Sequence, residues 1–402
     1  MEHPSCKTSE KPLARHHHHS FVITAAVLTG FLLPVGIVGG MVAESDQTDE
    51  AVAGETLVVE TAALTGLEDL IPHLLDRRVV YVGEQHDRYE DHLSQLAIIR
   101  GLHEHGRDVA IGMEFFQQPF QGALEAYVAG DIDESELLRQ TEYFDRWRYD
   151  YRLYRPILRY AREHGLPLIA LNVAKEITEK AGDVGIAGLD AAEHDQIPAE
   201  IDRGDDAYRA RVKAVFDMHP KDENADFERF LDVQLLWDEG MAEQAADFLK
   251  ANPDKMLVVL AGVGHIEHGH GIPGRVTRRI DVPSASIVNG THRPLTTTLA
   301  DFVLFPQQRD LPATGLMGVM LDTDSAGEGV GVQGFADESG AKAAGVEEGD
   351  RIVKIGDTPV DDYADIRIAL MDSAPGDRLP VEVLRKPLVG GAKRLRFDVE
   401  LH

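Results

Sequence analysis

Two stretches of this chain end an apolar run on the same kind of turn. They are Arg78-Val-Val-Tyr-Val-Gly83-Glu84-Gln-His86 and Leu257-Val-Val-Leu-Ala-Gly262-Val-Gly-His265. A buried strand that stops at glycine and then presents an imidazole is how an α/β sheet builds a site at its carboxyl edge. Asp108-Val-Ala-Ile-Gly-Met-Glu114 and Leu166-Pro-Leu-Ile-Ala-Leu-Asn172 end the same way on other polar groups. If these strands are parallel, Glu84, His86, Glu114, Asn172 and His265 converge on one edge. Two histidines with two carboxylates suit acid/base work or a divalent cation such as zinc, manganese or iron. Glu84 and Glu114 are the catalytic candidates, and His86, His265, Glu84 and Glu114 the metal-ligating ones. His268 joins them if a helix begins at Ile266, since it would then share a face with His265. The competing reading is that these groups only cap helices and bond loops.

A second concentration of chemistry runs from Phe144 to Pro156, with Trp147, Tyr149, Tyr151 and Tyr154 interleaved with Arg146, Arg148, Arg152 and Arg155. Aromatic faces beside guanidinium groups suit a flat, anionic, amphipathic ligand, and a tyrosine phenolate is an accepted axial ligand of ferric haem. A helix-packing face is the alternative for any one of these rings.

The elements that must hold these groups follow from periodicity. Strand-like runs alternate with helical periods at Asp91–His105, Gln121–Tyr127, Leu153–His164 and Phe227–Ala251, and Ser284–Asn289 supplies a closing strand. That alternation predicts right-handed crossovers and an α/β fold with a largely parallel sheet and flanking helices. Residues 116–160 are mainly helical in pattern, which predicts a small helical insertion over the site. The α/β domain is expected over residues 56–305, a linker over 306–313, and a second domain of short strands and glycine turns over 314–402.

Composition narrows the classes. The formal charge is −29 over 402 residues, and nothing offers phosphates a sustained basic stripe, so nucleic acid is excluded as a partner. Cys6 is the sole cysteine, which excludes an intrachain disulfide and a thiolate-rich metal site. Residues 21–43 carry no charge; Lys7, Lys11 and Arg15 precede them, while Glu44, Asp46, Asp49 and Glu50 follow. That polarity predicts an export signal or membrane anchor over residues 1–55, the last dozen being an acidic linker. The expected location is the cell envelope, periplasmic or otherwise extracytoplasmic, secreted or anchored by 21–43.

Taken in order, several motifs form a series. They are Gly83-Glu-x-His86, Gly112-Met-Glu114, Trp147 through Tyr154-Arg-Pro156, Leu168-Ile-Ala-Leu-Asn172, Gln234-Leu-Leu-Trp-Asp238-x-x-Met241-Ala242, and Ala261-Gly-Val-Gly-His265 through Gly271-Ile-Pro273. This series resembles the ChaN family, haem-binding uptake proteins of the Tiki-like superfamily. The resemblance implies an α/β core with a small helical subdomain, export, haem or iron handling, and a homodimer. Given haem, chemistry selects Tyr154 as the iron ligand, Trp147 and Tyr151 as flanking rings and Arg155 as a propionate partner, with Tyr149, Tyr151 and a histidine such as His86 competing for the iron. The wider superfamily includes metal-dependent proteases with paired Gly-x-x-His motifs, so a metal-dependent hydrolase is the second reading. Many relatives are lipoproteins, and this chain lacks their cleavage box.

Residues 314–402 resemble a bacterial-type PDZ domain of mixed α+β type. Ser339-Gly-Ala-Lys-Ala-Ala-Gly345 through Gly349-Asp350-Arg-Ile-Val-Lys-Ile-Gly356 matches its central signature. The resemblance makes Gly315, Leu316, Met317 and Gly318 the loop that takes the carboxylate of C-terminal peptides or envelope proteins, with Ala364–Met371 as the groove helix. A PDZ scaffold without catalysis is the third reading.

Overall fold

The computed structural model describes residues 57–402 except 220–224, 292 and 387–389. The expected export signal or anchor therefore lies outside the described residues. Among those described, no helix is long and apolar enough to cross a membrane.

Six strands form the first sheet: β1 (Val79–Glu84), β2 (Val109–Gln117), β3 (Leu168–Asn172), β4 (Met256–Gly262), β5 (Ser284–Asn289) and β6 (Phe302–Leu304). They lie in the order β3-β2-β4-β1-β5-β6, all parallel. The chain leaves β1 toward β2 and β3, returns to insert β4 beside β1, and continues to β5 on the far side. Side chains alternate along each strand, so both faces are apolar and both are covered. Val80, Val82, Ile111, Met113, Val258 and Leu260 meet the helix Tyr89–Glu104 and the helical insertion. Val79, Tyr81, Leu257, Val259 and Ala261 meet the helices Phe227–Ala251 and Ile272–Arg279.

The insertion between β2 and β3 comprises helices Gln121–Ala129, Glu134–Gln140 and Tyr143–Arg146, a 3-10 turn at Tyr151–Leu153, and the crossover helix Arg155–His164. Three features depart from expectation. β2 runs past Glu114 to Gln117, with a register shift against β3 after Met113. Helices Lys175–Val184 and Asp206–Met218 fill part of the connection before β4; few of their residues are buried, and they are not among the helices expected from the sequence. A short sixth strand follows β5.

The second sheet is antiparallel: β7 (Val319–Asp322), β8 (Val330–Phe335), β9 (Arg351–Ile355), β11 (Arg378–Arg385) and β12 (Lys393–Glu400), with β10 (Thr358–Pro359) beside β9. Its order, β12-β11-β9-β8-β7, leaves β7 at an edge. The helix Tyr363–Leu370 serves two cores. Ile366 and Leu370 enter the core of this sheet, whereas Ala364 and Ile368 join the core that holds Tyr143 and Phe144 of the insertion. Arg139 Nε donates to Asp365 Oδ1 at 2.8 Å, and Arg155 pairs with Asp372 across the same junction.

Candidate functional site at the strand ends

The register puts the polar strand ends side by side: Glu84 on β1 is opposite Gly262 on β4, and Met113, one residue before Glu114, is opposite Leu260. Glu84, His86 and Glu114 each offer a ligand atom, all within 4.8 Å of one another. His86 Nδ1 stands 2.6 Å from Glu84 Oε1. Glu114 accepts the Gly262 N–H through Oε2 at 2.6 Å, and its Oε1 lies 3.5 Å from His265 Nε2. Glu114 thus contacts both ends of the second Gly-x-x-His turn while its ligand atom lies within 4.8 Å of those of Glu84 and His86 at the first. Gly262 permits this closeness, since a Cβ there would stand 2.9 Å from His86 Cε1.

Each imidazole has its own buried carboxylate. His265 Nδ1 is 2.7 Å from Asp238 Oδ1, and Tyr208 donates its hydroxyl to Asp238 Oδ2 at 2.6 Å. Beneath Glu84, His92 Nε2 lies 3.8 Å from Oε2, which has no hydrogen-bond partner among the described residues although it is buried. Such an orphaned acceptor is uncommon in a native interior. Burial drives His86 toward neutrality, but the charge and hydrogen bond of Glu84, then Glu114 and Asp87, win and raise its pKa to about 9. Burial raises the Glu84 carboxyl, yet His86, His92 and His265 together hold it below its ordinary range. The same contest, burial against Asp238 and Glu114, leaves His265 raised. Two imidazolium–carboxylate dyads around a third carboxylate can hold and move protons, or exchange them for a cation.

Other expected residues stand elsewhere. No helix begins at Ile266; His268 has φ 63° and turns its Nδ1 toward Thr298 Oγ1 at 3.3 Å, so it shares no face with His265. Asn172 bonds its own chain at Val173 N–H. Tyr154 is 1% exposed, accepts from Trp147 Nε1 at 3.0 Å and reaches the His86 carbonyl at 3.4 Å. Tyr151 is equally buried and donates to Glu134, which together with Asp372 also occupies Arg155. The Arg155 guanidinium is already paired with two carboxylates, and neither tyrosine presents an open face. Trp147 and Tyr149 do: both are half-buried and pack on His86, with centroids 4.8 and 4.9 Å away. Burial, then Glu84, Asp87 and Glu114, raise the Tyr149 phenol to about 12. A cleft of about 740 Å³ lies away from this chemistry, along the outer edge at Leu168 and Ile169.

Sequence reasoning missed Asp238, Tyr208 and His92. A signal existed for Asp238: Leu235, Asp238, Ala242, Ala245 and Leu249 form one buried stripe at helical spacing, and a carboxylate in such a stripe needs a partner. Nothing local marks Tyr208.

In the second domain, the N–H groups of Gly315 and Leu316 already donate to Ser373 O and His402 O, at 3.0 and 2.9 Å. The loop amides left for a carboxylate are those of Met317 and Gly318. Gly318 has φ 71°, and a Cβ there would meet Glu338 O at 2.6 Å, so only glycine forms this loop.

Residues 70–276 match the profile of a family described as haem-binding uptake, Tiki superfamily, ChaN, and residues 315–401 match that of the PDZ domain. Protein RETICULATA-RELATED 5, chloroplastic, of Arabidopsis thaliana is 27% identical over 232 residues, 54% of this chain; the chain spans only 31% of that relative's length. Among solved structures, ChaN of Campylobacter jejuni with cofacial haem overlaps 60% of this chain and 91% of its own, at 16% identity and a TM-score of 0.48. An erythromycin esterase mutant, EreC, in its open conformation overlaps 55% and 72%, at 16% identity and a TM-score of 0.35. The HtrA3 PDZ domain bound to a phage-derived ligand overlaps 22% and 85%, at 24% identity and a TM-score of 0.18.

Proposed function

Because the chain belongs to the ChaN family of the Tiki superfamily, described as haem-binding uptake proteins, we propose that it binds haem at the aromatic cover of the strand-end site. The observation that carries the location is the pair of half-buried rings, Trp147 and Tyr149, packed on His86. Bound ferric haem supplies a Lewis-acidic iron, for which a phenolate is a hard, anionic ligand. Tyr149 is the accessible phenol, and Tyr154 reaches a ligand only if the Trp147 hydrogen bond opens. With its phenol held near 12, Tyr149 releases a proton on ligation, so affinity rises with pH. Haem titration into wild type, Tyr149→Phe and Tyr154→Phe tests this. Loss of the ferric charge-transfer spectrum in Tyr149→Phe is expected; an unaltered spectrum there rejects that ligand, and no response in wild type rejects haem.

The protein works outside the cytoplasm on this proposal, as a carrier in haem or iron uptake, secreted or anchored through residues 21–43. The charge flanks of that segment support export. A reporter fused after residue 60 that is active in the cytoplasm would sink it. The PDZ domain, on the same proposal, holds a partner by its free carboxyl terminus at Met317 and Gly318.

A second reading, metal-dependent hydrolysis, is favoured by one observation: the buried, unpartnered Glu84 Oε2 beside His86 and Glu114. These three would hold a divalent cation. Because the cation must displace the His86 proton, its retention weakens as pH falls below about 9, well above the ordinary imidazole value. Equilibrium dialysis with zinc or manganese across pH 6–9, and peptide cleavage in His86→Ala and His265→Ala, test it. Cleavage that survives both substitutions excludes this site.

A further inference from the structure

The junction of the two domains forms a half-open cavity of about 360 Å³, at the small end of ligand pockets. Phe144, Asp145 and Arg148 of the insertion form one side; Thr323, just beyond β7, and Tyr363 and Arg367 of the groove helix form the other. The PDZ groove therefore has a wall that its own domain does not supply.

We propose that this cavity is an outer subsite of the peptide groove, accepting one acidic residue about four to five positions upstream of a partner's free carboxyl terminus. The proposal rests on carboxyl-terminal capture as read above. The terminal carboxylate sits at Met317–Gly318, at the start of β7, and the peptide adds to the free edge of β7. Its upstream residues must then run along β7 toward Thr323. From Gly318 that is about five residues at roughly 3.3 Å each, which brings the fourth or fifth upstream side chain to the cavity.

The lining says what that side chain is. Arg148 is exposed and has no ionic or hydrogen-bond partner among the described residues, and it is held at φ 69°, a strained backbone for a non-glycine residue. Arg367 lies over the Phe144 ring at 5.3 Å and donates to the Tyr363 hydroxyl at 3.0 Å. A carboxylate entering between them completes Arg148 with a charge-assisted bond. Asp145, the one acid in the lining, disfavours a second negative charge. Arg148 also stands between Trp147 and Tyr149, so the occupied subsite touches the segment that covers His86.

The test uses the full chain and ten-residue fluorescent peptides with free carboxyl termini, bearing Glu, Ala or Lys at the fourth and fifth upstream positions. The Glu peptides are expected to bind about three- to fivefold more tightly than Ala, the size of a half-exposed ion pair, with Lys weakest and the difference shrinking in high salt. Arg148→Glu reverses the order of Glu and Lys. Arg148→Gly, which relaxes the backbone, removes the preference and leaves the Ala peptide unchanged. Equal affinities for all three peptides in wild type overturn the subsite alone. If no peptide binds, capture by the carboxyl terminus falls and takes the subsite with it.

Discussion

The two Gly-x-x-His ends look alike in sequence and are built differently. His86 takes its carboxylate from its own strand, two residues back, whereas His265 takes Asp238 from the helix Phe227–Ala251 packed across the sheet face. The chain's two tryptophans divide between them: Trp147 stands edge-on to His86 at 4.8 Å and Trp237 edge-on to His265 at 6.2 Å. Glu114 joins the halves. At the His86 end one carboxylate oxygen is left without a hydrogen bond, while both oxygens of Asp238 are satisfied. The difference leaves an open acceptor at the His86 end and a closed hydrogen-bond chain at the His265 end.

The largest effect expected from this contrast is on stability. Asp238→Ala strands His265 and the Tyr208 hydroxyl, and breaking a buried pair in this way costs about 3–5 kcal/mol. Glu84→Ala should cost less, since it strands His86 but also removes an oxygen that is already unsatisfied. Urea unfolding of both variants checks the order; equal losses would erase the distinction.

The His86 dyad should also make stability fall with alkali. Its folded pKa, about 9, lies above the ordinary imidazole value of about 6.5, so its contribution is complete below about pH 6.5 and disappears as pH rises through 9. By linkage this amounts to at most about 3 kcal/mol, counted once for the pair. Glu84→Gln should flatten the slope between pH 6.5 and 9. A slope that persists in that variant assigns it to another group.

Gly262→Ala drives a methyl group against the His86 ring and toward Glu114. Overpacking of this kind costs about 1–3 kcal/mol, and here it parts the two halves. The variant should stay folded by circular dichroism while losing haem or cation binding. Unchanged binding would show that the halves need not touch.

The smallest signal is optical. Protonated imidazole quenches a neighbouring indole, so Trp237→Phe, which leaves Trp147 alone, should brighten as His86 loses its proton near pH 9. Trp147→Phe should report His265 at a midpoint of its own. One shared midpoint in both variants would mean that the imidazoles titrate as a single unit.

The sequence by itself determined the parallel α/β sheet, the helical insertion, the PDZ domain and the convergence of Glu84, His86, Glu114 and His265. The PDZ domain was legible through the resemblance of its Gly-rich signature, and the rest follow from local rules. Apolar period names the strands, parallel strands share an edge, and glycine marks where each run stops. Only the tertiary structure decided which carboxylate serves His265, which phenol stays open and where the PDZ groove ends. Asp238 and Tyr208 reach the site from helices whose rotation is set by packing against the sheet. Tyr154 and Tyr149 belong to one aromatic run, yet burial against Phe115 and His92 closes the first and spares the second. The helix Tyr363–Leu370 has apolar residues on two sides, and only packing shows that the second side meets the insertion. Contacts between elements depend on how whole faces fit, and no local pattern in the chain encodes that fit.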